Sequence, residues 1–328
     1  MFFFKFIYIL IYRTFYIFFH QKKEAKWGAT YLHQLEKQFN GKFDERTFKK
    51  IIFYYSLKVP AICDAFLHLH HKKTNREECK RLLHYFICSS IFDNFFDREE
   101  LTDEQIYNIT FNAASYNATN FNEKISLHSH LLILDFIKEK EKYLDVLRKE
   151  YDVQVASRSQ FNANITNTAI EHITLEKGGN AVLLCSFYLE HKASIYEQNC
   201  WYKLGNIIQF VNDLFDIYRD LQTGLQTIPN RIKDAKTFKI YYLNLVGNLK
   251  KEIAAIDIPQ KNKLHFTIST MGICALGLIA IEQLIALQGT AKELPNLKLL
   301  TRQDLVIDME KKSNLWKWVK IVYQLARC

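Results

Sequence analysis

Apolar side chains recur along this chain at intervals of three and four, the spacing that lines one face of an α-helix. In residues 28–40 they are Tyr31, Leu32, Leu35 and Phe39. In residues 77–97 they are Leu82, Leu83, Tyr85, Phe86, Ile91, Phe92 and Phe96. Residues 124–148 continue the pattern through Ile125, Leu127, Leu131, Leu134, Tyr143 and Leu147, and residues 199–221 through Trp201, Leu204, Ile207, Ile208, Val211, Phe215 and Tyr218. The stretch 265–288 is apolar on nearly all sides, which predicts a helix at the centre of a bundle. Interruptions are expected at Pro60, at Gly178–Gly179, at residues 223–230, at Pro259 and at residues 289–295. None is a long polar linker, and no stretch alternates with the period of a strand. The pattern predicts about ten to twelve helices in one all-α domain.

Composition supports this reading. Only 10 glycines and 4 prolines in 328 residues leave room for long helices, because a proline inside a helix removes a hydrogen bond and clashes with the preceding turn. Those numbers exclude collagen-like and low-complexity chains, and a β-sandwich would spend more of both residues on turns. A hydrophobic fraction of 48%, with 14% aromatic, excludes a disordered chain and supplies a sizeable core. The 44 basic and 35 acidic residues leave a net charge of +9, which suits an anionic partner: nucleic acid, an acidic membrane surface or a phosphorylated small molecule. The basic residues are scattered and no strongly basic helix stands out, so no nucleic-acid partner is expected. Seven cysteines, an odd number without any CxxC spacing, predict reduced thiols in a cytosolic chain rather than disulfides or a zinc site. His68, His70 and His71 cluster without acidic or cysteine partners at ligand spacing and are read as surface or helix-packing residues. No Gly-rich phosphate loop or nucleophile elbow occurs.

Residues 2–19, FFFKFIYILIYRTFYIFF, form the most apolar stretch. About twelve strongly apolar residues contribute about −5 kcal/mol toward membrane insertion, and Arg13 returns about +2.5 kcal/mol. A span is therefore marginal, and no small-residue cleavage site follows. Residues 1–26 are expected to be a packed or membrane-surface helix, with Lys22, Lys23 and Lys26 near lipid head groups. Residues 27–328 are expected to form the main domain.

Two acidic segments interrupt otherwise apolar helices. Asp93-Asn94-Phe95-Phe96-Asp97 places Asp93 and Asp97 four apart on one helix face. In Asn212-Asp213-Leu214-Phe215-Asp216-Ile217-Tyr218-Arg219-Asp220, the positions Asn212, Asp216 and Asp220 form a ladder of oxygen donors along a predicted helix. Burying carboxylates is costly unless they are paired or bind a metal. Mg²⁺ takes oxygen ligands and shares phosphate oxygens with a substrate, so two such segments could hold two or three Mg²⁺ ions and a diphosphate leaving group. The bland alternative is a pair of solvated helix faces, with Arg98 beside Asp97 and Arg219 beside Asp216 or Asp220. Aromatic faces would suit a carbocation left behind by the diphosphate.

DNFFD resembles the aspartate-rich first motif of class I isoprenoid synthases, and NDLFDIYRD resembles their second motif in its Asn-led form. With EKGG (Glu176, Lys177, Gly178, Gly179), the segments are most similar to the bacterial large-terpene synthases of the tetraprenyl-β-curcumene synthase type. The resemblance follows helix order from about residue 30 onward, but its specific part is these three segments. It implies the α-helical class I fold around a central cavity, Mg²⁺-dependent ionisation of a prenyl diphosphate, and Asp93, Asp97, Asn212, Asp216 and Asp220 as catalytic metal ligands. There are departures. Asn94 stands where many relatives carry a second Asp, Asp216 where plant and fungal cyclases carry Ser or Thr, and Asp220 where they carry Glu. No second DDxxD, expected of chain-elongating enzymes, is present.

For the diphosphate, the candidates are Lys177, Arg219 and Arg231, with Arg158 a further candidate for the cation upstream of the second motif. Gly178 and Gly179 read either as a break that turns carbonyls toward a cavity or as a plain helix end. Gln209 and Gly205 share a face with Asn212, and Gln209 is a candidate cavity residue. One turn before Asp93 lie the small Cys88 and Ser89, with Phe86 a further turn back. By family analogy small residues here leave a tunnel open to a long prenyl chain. The leading expectation is a terpene synthase, a carbon–oxygen lyase, in the cytoplasm or peripheral to the inner face of the membrane through residues 2–19. The alternatives are a head-to-head prenyl transferase of the squalene or phytoene synthase type and a non-enzymatic membrane-associated helical protein. Oligomeric state is left open, a homodimer included.

Overall fold

The computed structural model describes residues 2–327. Among them the chain is all-α, as the hydrophobic spacing predicts, with no strand. The helices are α1 (Phe2–Gln38), α2 (Glu45–Lys58), α3 (Asp64–His68), α4 (Arg76–Asp97), α5 (Asp103–Phe111), α6 (Phe121–Phe136) and α7 (Lys140–Ser157), followed by α8 (Asn167–Phe187), α9 (Ile195–Phe215), α10 (Ile217–Thr223), α11 (Ala235–Ala255), α12 (Gln260–Gln288), α13 (Arg302–Leu305) and α14 (Lys312–Arg327). The excess over ten to twelve lies in short pieces such as α3 and α13. The described residues fall into two compact units: residues 10–145 with 185–192, and residues 2–9, 146–184 and 193–327. α1 runs without a break through residue 26.

In the unit of residues 10–145 and 185–192, α4 packs between α2 and α6. A capping box starts α4: the Glu78 amide donates to Asn75 Oδ1 at 2.9 Å, and the Asn75 amide to Glu78 Oε2 at 2.8 Å. The apolar face of α4, including Leu82, Leu83, Ile87, Ile91 and Phe95, is fully enclosed. Pro60 does not end a helix as expected. α2 and α3 are joined by a single π-helical turn, Val59–Cys63, which absorbs the proline. The Pro60 carbonyl accepts a 3.0 Å bond from Arg13 Nη2, and Arg13 Nη1 lies 2.8 Å from His68 Nδ1. Further along α1, buried Glu24 accepts from Tyr55 Oη at 2.5 Å and Arg76 Nη1 at 2.9 Å. The expected continuous helix over 124–148 is two helices, because residues 137–139 leave the helical path between α6 and α7.

In the other unit, α12 is the central helix that its all-round apolarity predicts, packed by α9, α11 and α14. Tyr242 Oη donates to the Cys274 carbonyl at 2.9 Å, and a methyl on Gly277 would stand 2.3 Å from that hydroxyl. Gly224, in the left-handed conformation at φ 77°, closes α10. The six described cysteines are free thiols, and Cys328 lies outside the described residues.

Candidate functional site

α9 starts with a capping box, the Ser194 amide donating to Glu197 Oε2 at 2.8 Å and the Glu197 amide to Ser194 Oγ at 3.3 Å. Its far end carries the second acidic segment. The expected single ladder is broken: α9 ends at Phe215, Asp216 stands at the joint with φ −93° and ψ 4°, and α10 resumes at Ile217. The break turns successive carboxylates out of register. Asn212 is exposed, Asp216 is half-buried, and Asp220 is buried. Asp213, which the four-residue ladder skips, is buried beside them.

Asp213 accepts from Gln209 Nε2 at 2.8 Å and from Thr174 Oγ1 of α8 at 3.3 Å. Burial pushes its carboxyl up to about 7; the charge of Asp220 adds to the rise, and Gln209, Lys177 and Thr174 oppose it. Burial likewise raises Asp220 to about 6, where Arg219 pulls it down and Asp216 pushes it up. Asp216 is raised by burial and lowered by Arg219. Arg219 Nη2 lies 2.8 Å from Asp216 Oδ2 and 3.4 Å from Asp220 Oδ1. This guanidinium therefore bridges two carboxylates, the bland arrangement the sequence allowed.

Helix polarity adds to the strain. The last turn of α9 and the last turn of α4 carry carboxylates and no basic side chain. The C-terminal end of a helix is the negative end of its dipole, where each anion costs roughly 0.3–1 kcal/mol. Three carboxylates thus lie within eight residues, Asp213 and Asp220 raised by burial and by a neighbouring carboxylate and Asp216 by burial, with the exposed Arg219 guanidinium between Asp216 and Asp220.

The first acidic segment occupies the last turn of α4. Asp93 Oδ2 pairs with Lys50 Nζ of α2 at 2.6 Å, each side chain a little under one-third exposed. Asn94, buried, donates from Nδ2 to Thr47 Oγ1 at 2.8 Å, so it ties α4 to α2. Asp97 is exposed. Arg98 reaches Glu100 at 3.5 Å and Asp44 at 4.0 Å. Phe86 is buried against Tyr85, with ring centroids 5.1 Å apart. Ser89 is half-buried, and Cys88 Sγ points at the Ser126 carbonyl of α6 at 3.5 Å.

Gly178 and Gly179 neither break nor end a helix. α8 runs straight through them. A methyl on Gly178 would stand 2.4 Å from the Gly205 carbonyl oxygen, and one on Gly205 would stand 2.2 Å from the Gly178 carbonyl oxygen. At Gly179 it would meet Tyr202 at 2.4 Å and Asn206 Oδ1 at 2.5 Å. The glycines let the α8 and α9 backbones touch. That contact sets Lys177 and Thr174 beside Asp213. Arg231 donates from Nη1 to the Ile165 carbonyl at 2.6 Å, which anchors the turn that follows α10.

Sequence reasoning missed Asp213, Thr174, Gly205 as a packing partner, and Lys50. Asp213 had a signal: it falls three residues after buried Phe210 and four before buried Ile217, on the inward face of α9. Thr174 and Lys50 had none, because each meets its carboxylate through tertiary packing. No family model matches the chain, and no curated protein matches it.

Proposed function

We propose that the chain is a Mg²⁺-dependent class I terpene synthase that ionises a prenyl diphosphate, with a long prenyl chain favoured, and cyclises or deprotonates the resulting carbocation. The observation that carries this reading is the run of Asp213, Asp216 and Asp220, whose carboxyls are all raised by burial, with Arg219 paired to Asp216 and Asp220 and only the more distant positive charge of Lys177 acting on Asp213. A structural acid pair would be satisfied by its own surroundings; this one gains from an added cation. Within their own unit, Asn212, Asp216 and Asp220 would supply oxygen donors to Mg²⁺, and in the other unit Asp93 and Asp97 would do the same. Bound there, Mg²⁺ would supply charge stabilisation to a departing diphosphate.

The chain's own side chains take defined parts in this reading. Lys177, whose charge already acts on Asp213, would offer a point charge to a phosphate oxygen. Arg219 would exchange its hold on Asp216 and Asp220 for a phosphate once a metal takes the carboxylates. Lys50 would leave Asp93 in the same way. Gln209 holds Asp213 in place.

Isothermal titration tests the reading. Mg²⁺ and inorganic diphosphate together should bind with far higher affinity than either alone, and Asp220→Asn should abolish the coupling. Independent, weak binding of each would count against it.

A further inference from the structure

α1 carries an aromatic face that no other described residue covers, with Lys5 the one exposed charge between Phe4 and Phe19. Tyr8, Ile11, Tyr12, Phe15, Phe18 and Phe19 are each between 44 and 68% exposed. Their spacing keeps them on one side of the helix, and Phe4, 77% exposed, continues it toward the N-terminus. From Phe4 to Phe19 the stripe is about 22 Å long at 1.5 Å per residue. Exposed apolar surface of this extent marks a binding face.

The opposite side of α1 takes up the other charge of this stretch. Arg13, the residue that weighs most against membrane insertion, is 3% exposed and points inward to the Pro60 carbonyl and His68. Tyr16 Oη donates to Asp64 Oδ2 at 2.7 Å, and Glu24 is taken by Tyr55 and Arg76. These bonds fix the rotation of the helix. They also hold the polar groups that a spanning helix would have to carry into hydrocarbon, so the helix lies along a surface instead of crossing it. α12 is also long and apolar enough to cross a membrane, but 61% of its most apolar window is buried against 22% for α1, so α1 is the more exposed of the two.

Charge identifies that partner. Between Phe2 and Lys23 there is no acidic residue, and the exposed side of α1 ends in Lys22, Lys23 and Lys26. Lys22 Nζ sits over the Phe18 ring, 4.0 Å from its centroid, so the ammonium lies against the aromatic surface. Aromatic rings bordered by lysines match the interface of an anionic bilayer, rings at the level of the acyl boundary and lysines at the phosphates. We infer that the chain docks peripherally on anionic lipid membranes through the exposed aromatic face of α1, anchored by Lys22, Lys23 and Lys26. A substrate with a long prenyl chain would be drawn from the same bilayer, but the docking stands on α1 alone and is tested without turnover.

The test is flotation of the full chain with vesicles of phosphatidylcholine alone and of phosphatidylcholine mixed with phosphatidylglycerol. The chain should float with the mixed vesicles, more weakly with the neutral ones, and be released by alkaline carbonate. Replacing Lys22, Lys23 and Lys26 with Glu should weaken binding to the anionic vesicles on the order of a hundredfold or more, from about 1 kcal/mol per lysine, and change binding to neutral vesicles little. Phe15→Ser with Phe19→Ser should weaken both at least tenfold; these side chains are exposed, and unchanged circular dichroism verifies the fold. The inference is overturned if the wild-type chain floats with neither vesicle. It is also overturned if the chain resists carbonate extraction, which would mean a span. A dimer in light scattering that dissociates in the Phe15/Phe19 variant would assign the face to a second copy and overturn it equally.

Discussion

Gly178→Ala separates the two explanations for the paired glycines of α8. On an ordinary helix, Ala in place of Gly gains about 1 kcal/mol. At Gly178 the added methyl would lie 2.4 Å from the Gly205 carbonyl oxygen and 2.5 Å from Gln209 Cβ, where ordinary contact begins at 3.4 Å. The α8 and α9 backbones would have to part by about 1 Å, because the obstacle is backbone and cannot rotate away. Overpacking of this kind costs about 1–3 kcal/mol or more, and the separation also weakens dispersion contacts along the seam. The cost outweighs the helix gain, so Gly178→Ala should destabilise by on the order of 1–2 kcal/mol. Gly247 is the internal control: it lies inside α11 with nothing within 4 Å of its added methyl. Gly247→Ala should stabilise by about 0.5–1 kcal/mol. Urea unfolding followed by far-ultraviolet circular dichroism reads both as opposite shifts of the midpoint. A Gly178→Ala midpoint at or above wild type would refute the close backbone contact.

Further outcomes follow from the polar groups. Asp213 is raised from 3.8 to about 7; below about pH 4 it is neutral folded or unfolded, and as pH rises toward 7 the unfolded chain releases its proton first. Without metal, stability should therefore fall across pH 4–7, by at most about 4.4 kcal/mol for a rise of about 3.2 units at 1.36 kcal/mol per unit. Asp213→Asn should flatten that slope in urea titrations at several pH values; an unchanged slope would contradict the assignment. Asp93→Ala and Asp220→Asn should each lower turnover by more than about a hundredfold. Asp93→Ala should move the unfolding midpoint by no more than about 1 kcal/mol, since its pair with Lys50 is partly solvated; full activity in either variant would remove that residue from the metal set. Arg13→Met should cost about 1–3 kcal/mol in urea unfolding, because the Pro60 carbonyl would lose its buried donor; no loss would show that the inward network does not hold α1.

Helical class was legible because period is a local property: the stripes of α4 and α9 follow directly from spacing, and the central place of α12 from its all-round apolarity. The errors came where tertiary contact overrides local preference. Gly178–Gly179 read as a break because a glycine pair lowers helix propensity, yet the helix continues because Gly205 sits against it. Asp216 read as a mid-helix ligand, yet the backbone breaks there, and on the α9 side of the break Asp213 is the buried residue while Asn212 is exposed. Pro60 read as a stop, yet a π-turn carries the chain past it and leaves a carbonyl for Arg13 from far along the chain. Pairs such as Lys50–Asp93 and Thr174–Asp213 have no sequence signature at all.

The central claim is Mg²⁺-dependent ionisation of a prenyl diphosphate, and the direct measurement is release of inorganic diphosphate from prenyl diphosphates of increasing chain length, with the hydrocarbon extract followed by mass spectrometry. The account predicts release and a terpene product with Mg²⁺, none after chelation, and none from Asp220→Asn. A wild-type chain that releases no diphosphate from any chain length in the presence of Mg²⁺, or that releases it equally after chelation, would contradict it.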